Sequence, residues 1–228
     1  RPAAVRCLYV KTNALVSGFS LLDGHTLAAG SDWQNVAGGG GCLAGGGVIS
    51  NSVIAGCRAH ASGGGLYGAS TSAAWDTIIR SCFAGSHGGG AYLASNASLR
   101  NGLVYGNAAL TNGGGIYLAS GSGAYSCTVA SNSAANGGGI FVSGSADVIN
   151  DIIYFNSAPT NPNLFKDQAL IQYCCTTPDP GGIGIVTADP RFVGGGDYHL
   201  QSGSPCIDSG TTNHSPAYDL DGTPRPLD

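Results

Sequence analysis

The sequence predicts an all-β fold: a right-handed parallel β-helix with about 24–25 residues per coil and a loop-rich C-terminal cap. The first observation is a returning glycine triplet, Gly63-Gly64-Gly65, Gly88-Gly89-Gly90, Gly113-Gly114-Gly115 and Gly137-Gly138-Gly139, in steps of 25, 25 and 24 residues. A fainter copy reads as Gly39-Gly40-Gly41, 24 residues upstream. The second is composition: the units are rich in Gly, Ser, Ala and Asn and contain no Glu or Met, whereas helical repeats need sustained 3.6-residue apolar periodicity and good helix formers. At this length a unit is too short for a propeller blade and suits one turn of a solenoid. The third is a set of lanes kept by every unit. Sixteen residues after each first glycine stand Ile79, Val104, Val129 and Ile153, with Ile54 in the earlier unit, which is one residue shorter there.

In chain order, residues 1–38 read as an entry strand, Cys7-Leu8-Tyr9-Val10, and a first coil containing Leu15 to Leu22, with the loop Ser31 to Asn35 interrupting the register. Residues 39–162 are the regular Gly-rich coils and 163–176 the last coil, so the β-helix occupies 1–176. Residues 177–228 turn to Pro, Gly and Asp, and segments such as Thr177-Pro178-Asp179-Pro180 cannot join a ladder, so this part reads as a cap or outgoing linker.

Three residues beyond the apolar lane stand Cys57, Cys82, Asn107, Asn132 and Asn156. Equivalent residues of a parallel solenoid stack at about 4.8 Å, so Asn107, Asn132 and Asn156 are expected to form an asparagine ladder at a turn, where αL geometry is tolerated. Four of the five triplets are followed two places on by an aromatic residue, Tyr67, Tyr92, Tyr117 or Phe141, which alternation turns outward as a vertical stripe. A second outward lane holds Val53, Ile78, Leu103, Thr128 and Ile152.

With 43% hydrophobic residues the chain can bury one sizeable core, and the registered lanes argue against disorder despite 39 glycines. A net charge of −4 with scattered Lys and Arg gives no nucleic-acid groove. No run of 18 apolar residues exists to span a bilayer. The chain has neither an initiating Met nor a signal peptide and is expected to be a processed or partial product.

Several motifs carry a family resemblance. Arg6-Cys7-Leu8-Tyr9, Val16-Ser17-Gly18-Phe19, the Gly-rich coils, Tyr173 to Pro178, Ala188-Asp189-Pro190-Arg191-Phe192, Leu200 to Gly210 and Asp219 to Arg225 are similar to secreted bacterial right-handed β-helix proteins of the choice-of-anchor Q type. The coils also resemble the repeats of chlamydial polymorphic outer-membrane proteins. The resemblance implies an extracellular, surface-attached bacterial protein without assigned activity. The chain stops at Asp228, before the closing motif and anchor such proteins carry.

Eight cysteines in a chain with so few charges suit an oxidising compartment, and no zinc spacing occurs. Cys57 and Cys82 share a lane in adjacent coils, within the Cα range a disulfide tolerates, and are expected to bond. Cys7 and Cys42 fall near the same lane and form the next expected pair; Cys206 would tie the tail to Cys174 or Cys175. Cys127 occupies the inward lane of Thr77 and Gly102 and reads as a buried, inert thiol.

For catalysis, Asp76, Asp147 and Asp151 occupy three different coil positions and do not converge. Arg80 and Arg100 read as exposed partners of Asp76, and His87 as a polar turn residue. No catalytic residue and no cofactor is expected; Asp219 and Asp221 with Gly222 resemble only half of a calcium turn. Two functional readings follow. The first is a non-catalytic structural or adhesive β-helix, associating head to tail through a poorly capped N-terminal end, with Val53, Ile78, Leu103 and Ile152 as a lateral face. The second is a carbohydrate-binding or pectate-lyase-like polysaccharide-degrading β-helix using the aromatic stripe.

Overall fold

The computed structural model describes residues 5–28 and 32–225, and its strands stack as a parallel β-solenoid. Ser31 of the interrupting loop lies outside the described residues, as do the first four and last three residues of the chain. The only described helix is the four-residue turn Trp33–Val36.

The coil beginning at Gly63 shows the plan. Leu66–Gly68 lies in a seven-stranded sheet, Ala73–Arg80 in a twelve-stranded one and Phe83–Ala84 in a three-stranded one, each paired in parallel with its equivalents above and below. Ala73–Arg80 bends sharply in its middle because Asp76 takes a positive φ of 50°. Asn51, Asn101, Ser126 and Asn150 do the same at the equivalent bends, with φ between 44° and 62°. Asn and Asp are the non-glycine residues that best tolerate this region.

The triplet glycines are required for three different reasons. The first takes a positive φ, 68° at Gly63 and at Gly113. The second has no room: a Cβ on Gly114 would run into the carbonyl oxygens of Ser133 and Gly138, both backbone and unable to yield. The third stacks under the core, where a Cβ on Gly90 would lie 2.9 Å from Val104 and 3.0 Å from Asn107.

The register of the first copy differs from the sequence reading. Gly41 pairs with Leu66 and Cys42 with Tyr67, so the triplet of that coil is Gly38-Gly39-Gly40, with the positive φ at Gly38. Four consecutive glycines hid the frame. The step becomes 25, and Ile54 and Cys57 fall at their proper offsets without a shortened coil.

Inside, the lanes fill the solenoid. Ile54, Ile79, Val104, Val129 and Ile153 are fully buried, facing Leu66, Ala91, Ile116 and Ile140 from the first sheet and Ile49, Leu99, Ala124 and Val148 from the second. Each such aliphatic side chain withdrawn from water contributes about 1.5–3 kcal/mol, which is how a chain so rich in glycine offsets its ordering entropy.

The asparagine column is present and longer than the sequence suggested. Oδ1 of Asn107, Asn132 and Asn156 accepts the backbone N–H of Cys82, Asn107 and Asn132 in turn, each at 2.9 Å. Each Nδ2 donates back to a carbonyl, Ile79, Val104 or Val129, also at 2.9 Å. Asn163 adds a fourth member, accepting the Asn156 N–H at 3.1 Å and donating to Thr177. The αL residue of this corner is not the asparagine itself but its predecessor or the one before that coil's ladder position, Ser81, Gly106, Ser131 or Phe155.

Candidate functional site

The C-terminal residues do not lie only across the end of the solenoid. Ile183 and Val186 bridge to Gln172 and Cys175 of the last coil, and the chain then returns along the outside. The antiparallel hairpin Phe192–Gly194 and Asp197–Leu200 packs on one flank, with Tyr198 against Tyr105 at 5.1 Å and its hydroxyl 3.2 Å from Ser131 Oγ.

Residues 211–225 dock on the opposite flank, along the αL bends. Asn150 Nδ2 donates to the carbonyls of Thr211 at 2.9 Å and Asn213 at 3.0 Å, and its Oδ1 accepts the Thr211 N–H at 2.9 Å. One coil up, Ser126 Oγ donates to the His214 carbonyl at 3.2 Å, and the His214 ring stacks on Tyr125 at 4.4 Å. A further coil up, Asn101 donates to the Tyr218 carbonyl and accepts from Arg225 Nη2 at 3.1 Å. The residues that make the bends thus present the polar groups that hold the tail. Sequence reasoning passed over this column, although Asp76, Asn101, Ser126 and Asn150 all stand 13 residues beyond a first triplet glycine.

Between the two flanks runs a trough of about 940 Å³. Its floor is the lane Ile78, Leu103, Thr128 and Ile152, half-buried side chains that sequence reading assigned to lateral assembly. That assignment is corrected for these residues: they lie under the tail, and Val53 is the one member of the lane outside the trough lining. His199 spans the walls, with Nδ1 at 2.5 Å from Asp197 and Nε2 at 2.6 Å from Asp221. Donating to both carboxylates, Asp221 first and Asp197 second, raises the imidazolium pKa to about 9, so both ring nitrogens are occupied and neither serves as a free base.

Asp219 and Asp221 take part in the tail's own hydrogen bonds. Asp219 Oδ1 accepts the N–H groups of Asp221 and Thr223, and Asp221 is held by His199. An oxygen cage for calcium needs six to eight ligands, and the described residues contain no group of three or more His, Cys, Asp or Glu side chains placed to hold a metal ion.

The coil aspartates stay apart. Asp76 accepts from Asn101 Nδ2 at 2.7 Å rather than pairing with Arg80 or Arg100, and Arg100 lies over the Tyr125 ring at 4.5 Å. Asp147 accepts from the Tyr125 hydroxyl. Asp151 is sealed inside, Oδ1 accepting the Cys127 N–H at 2.6 Å and Oδ2 without a partner. Burial pushes its carboxyl up to about 8. His87 packs on Tyr117 and bonds Thr111 at a turn.

The stripe Tyr67, Tyr92, Tyr117 and Phe141 stands as a column and gains Phe165. Its rings lie nearly parallel, 4.4–5.3 Å apart. The faces between neighbouring rings are therefore covered by each other. Burial pushes the Tyr67 hydroxyl up to about 12. A sugar stacks on a ring face, and the faces between neighbours are already used within the column.

All eight cysteines are free thiols in this structure, so none of the expected disulfides is formed. Cys57 and Cys82 do meet as thiols. Cys7 and Cys42 do not: Cys42 lies between Tyr9 and Tyr67 in the aromatic lane, whereas the Cys7 sulfur meets Cys57. Cys206 meets Cys175, on the outward lane at the end of the trough, while Cys174 points inward with its sulfur 3.3 Å from the Val148 carbonyl. Cys127 is buried as expected, and burial holds its thiol protonated. Among the described residues no helix is long and apolar enough to cross a membrane. Compared with known proteins, the chain matches no family model, no curated protein and no solved structure.

Proposed function

We propose that this chain is a non-catalytic extracellular β-helix of the structural or adhesive kind, working at a bacterial surface and associating head to tail along the solenoid axis. The observation that carries the reading is the first coil. Its strands Leu8–Val10, Leu15–Ser17 and Ser20–Leu22 pair on one side only among the described residues, and Leu15, Phe19 and Leu22 are more than half exposed around them. An open parallel edge is a template for another chain, and a heterologous contact that does not close propagates. The coil carboxylates support the absence of chemistry, being separated, engaged or sealed. Light scattering and electron micrographs of the purified chain test the reading: rods longer than one subunit are expected, and a monomer at every concentration would overturn it.

A second reading rests on the trough. Its apolar floor and hydrogen-bonding walls suit a neutral oligosaccharide, and the acidic side chains Asp197, Asp208, Asp219 and Asp221 outnumber Arg225 and His199 along it, which disfavours a polyanion such as pectate. Under this reading glycan-array binding weakens in Leu103→Ala and is untouched in Tyr92→Ala. The reverse pattern would return the sugar site to the aromatic stripe.

The disulfides expected of an oxidising exterior belong to the same proposal. Cys175–Cys206 would fasten the tail at the end of the trough, and Cys57–Cys82 would join two coils. Peptide mapping of native secreted material without reduction reads both directly.

A further inference from the structure

Three sulfurs continue the asparagine column upward. Cys82 Sγ lies 3.2 Å from the carbonyl of Arg80, Cys57 Sγ 3.3 Å from Ala55, and Cys7 Sγ 3.3 Å from Leu22. Leu22, Ala55 and Arg80 are themselves stacked in register, so the sulfurs stack too. The lane position of the first coil is Gly24, which has no side chain, and a Cβ there would come within 2.7 Å of the Cys7 sulfur. Cys7, arriving from the entry strand, fills the place that Gly24 leaves vacant. Cys57 is therefore flanked by a thiol on each side, each sulfur set against the carbonyl of its own stacked level.

Access differs along this column. Cys57 and Cys82 are 0% and 2% exposed, whereas Cys7 is exposed. No dissolved oxidant reaches the inner pair while the coils are closed. We propose that Cys7 is the entry thiol of an oxidation site, relaying oxidising equivalents from a small dissolved disulfide to the sealed Cys57–Cys82 pair.

The steps balance as thiol–disulfide exchange. The Cys7 thiolate attacks one sulfur of the small disulfide, whose S–S bond breaks; one small thiolate leaves and is protonated by water. Cys57 attacks Cys7 Sγ, forming Cys7–Cys57 and expelling the second small thiol. Cys82 then attacks Cys57 Sγ, and the departing Cys7 thiolate takes the Cys82 proton. One small disulfide has become two thiols, Cys57 and Cys82 have lost two hydrogens, and Cys7 is regenerated. The column places Cys82 and Cys7 on opposite sides of the Cys57 sulfur, as in-line displacement requires. The bond ends between adjacent coils because their spacing of about 4.8 Å lies within the range a disulfide spans.

The test uses the folded, reduced chain incubated with oxidised glutathione, quenched by alkylation and mapped as unreduced peptides. The wild type is expected to acquire Cys57–Cys82, and Cys7→Ser at least tenfold more slowly, while glutathionylation at Cys206 keeps its rate in both. Cys82→Ser should stop at Cys7–Cys57, capturing the intermediate. Equal rates of Cys57–Cys82 formation in wild type and Cys7→Ser would overturn the relay. So would a native wild type that never forms that bond, or a Cys82→Ser variant that accumulates no Cys7–Cys57.

Discussion

From Gly38 to Thr176 the chain repeats one set of contacts coil after coil, while the tail from residue 177 to Arg225 makes contacts that occur once each. The coils are held by parallel backbone pairing, full burial of aliphatic lanes and a column of amides with every polar atom paired. The tail is held by hydrogen bonds to three bends, a stacked His214, the Tyr198 contact and the His199 bridge, most of them partly exposed. In the coils a change at one level strains its two neighbours, because nothing can move without breaking register. In the tail a change loosens a segment and leaves the rest standing. The trough is formed where these two regimes meet.

The largest effect tests how little the coils can yield. Gly114→Ala places a Cβ against two backbone carbonyls, and a loss beyond about 4 kcal/mol is expected, read as failure to fold or a collapsed urea midpoint. A mild shift would mean the coils are more pliable than the packing implies. Asn132→Ala comes next. It strands the amide of Asn107 and the carbonyl of Val104 inside the core, and about 3–5 kcal/mol should be lost, against near neutrality if water can enter the column.

Asp151 sharpens the comparison by pH. Its folded pKa of about 8 exceeds the unfolded value, so the native state keeps a proton that the unfolded chain releases. Stability therefore falls as pH rises from about 4 to about 8, by on the order of a few kcal/mol. Asp151→Asn should remove that slope, leaving stability near pH 4 unchanged and raising it at pH 8; thermal unfolding across the range that shows no difference between the two proteins would refute the assignment. An amide there can donate to the carbonyl two residues back, as Thr77 Oγ1 does to Trp75 at 2.7 Å.

Tail changes should be local. Asn150→Ala removes three bonds to residues 211–213. Hydrogen exchange should speed up over residues 207–225 by roughly tenfold, about 1.4 kcal/mol, with the coils unaffected; faster exchange in the coils as well would mean the tail is integral to them. Smallest is the His199 bridge. The folded-state pKa is raised to about 9, so its contribution is complete below the unfolded value near 6.5 and fades as pH passes 9. Protection factors at residues 219–222, exchange rates divided into the intrinsic rate at each pH, should fall over that window and stay flat in His199→Gln.

The glycine triplets, the inward lane from Ile54 to Ile153 and the asparagines were legible in the sequence because a solenoid stacks equivalents directly, so a linear period becomes a spatial column. The frame of Gly38 to Gly41 was not, since four identical residues carry no phase, and Cys42 was placed in the wrong lane as a result. Phe165 and Asn163 escaped because the last coil breaks the count. Alternation correctly turned the Tyr67 to Phe141 stripe outward, but the distance and tilt between rings decide whether their faces remain free, and stacking at one coil per ring closes those between neighbours. The course of the tail lay beyond any periodic reading. Its residues meet Asn101, Ser126 and Asn150 from more than 60 positions away, through hydrogen bonds whose partners in the tail carry no repeat. Local spacing thus determined the coils, where every contact is between equivalents one period apart. The trough, the bridge over it and the company kept by Cys7 were decided only when unlike segments met in three dimensions.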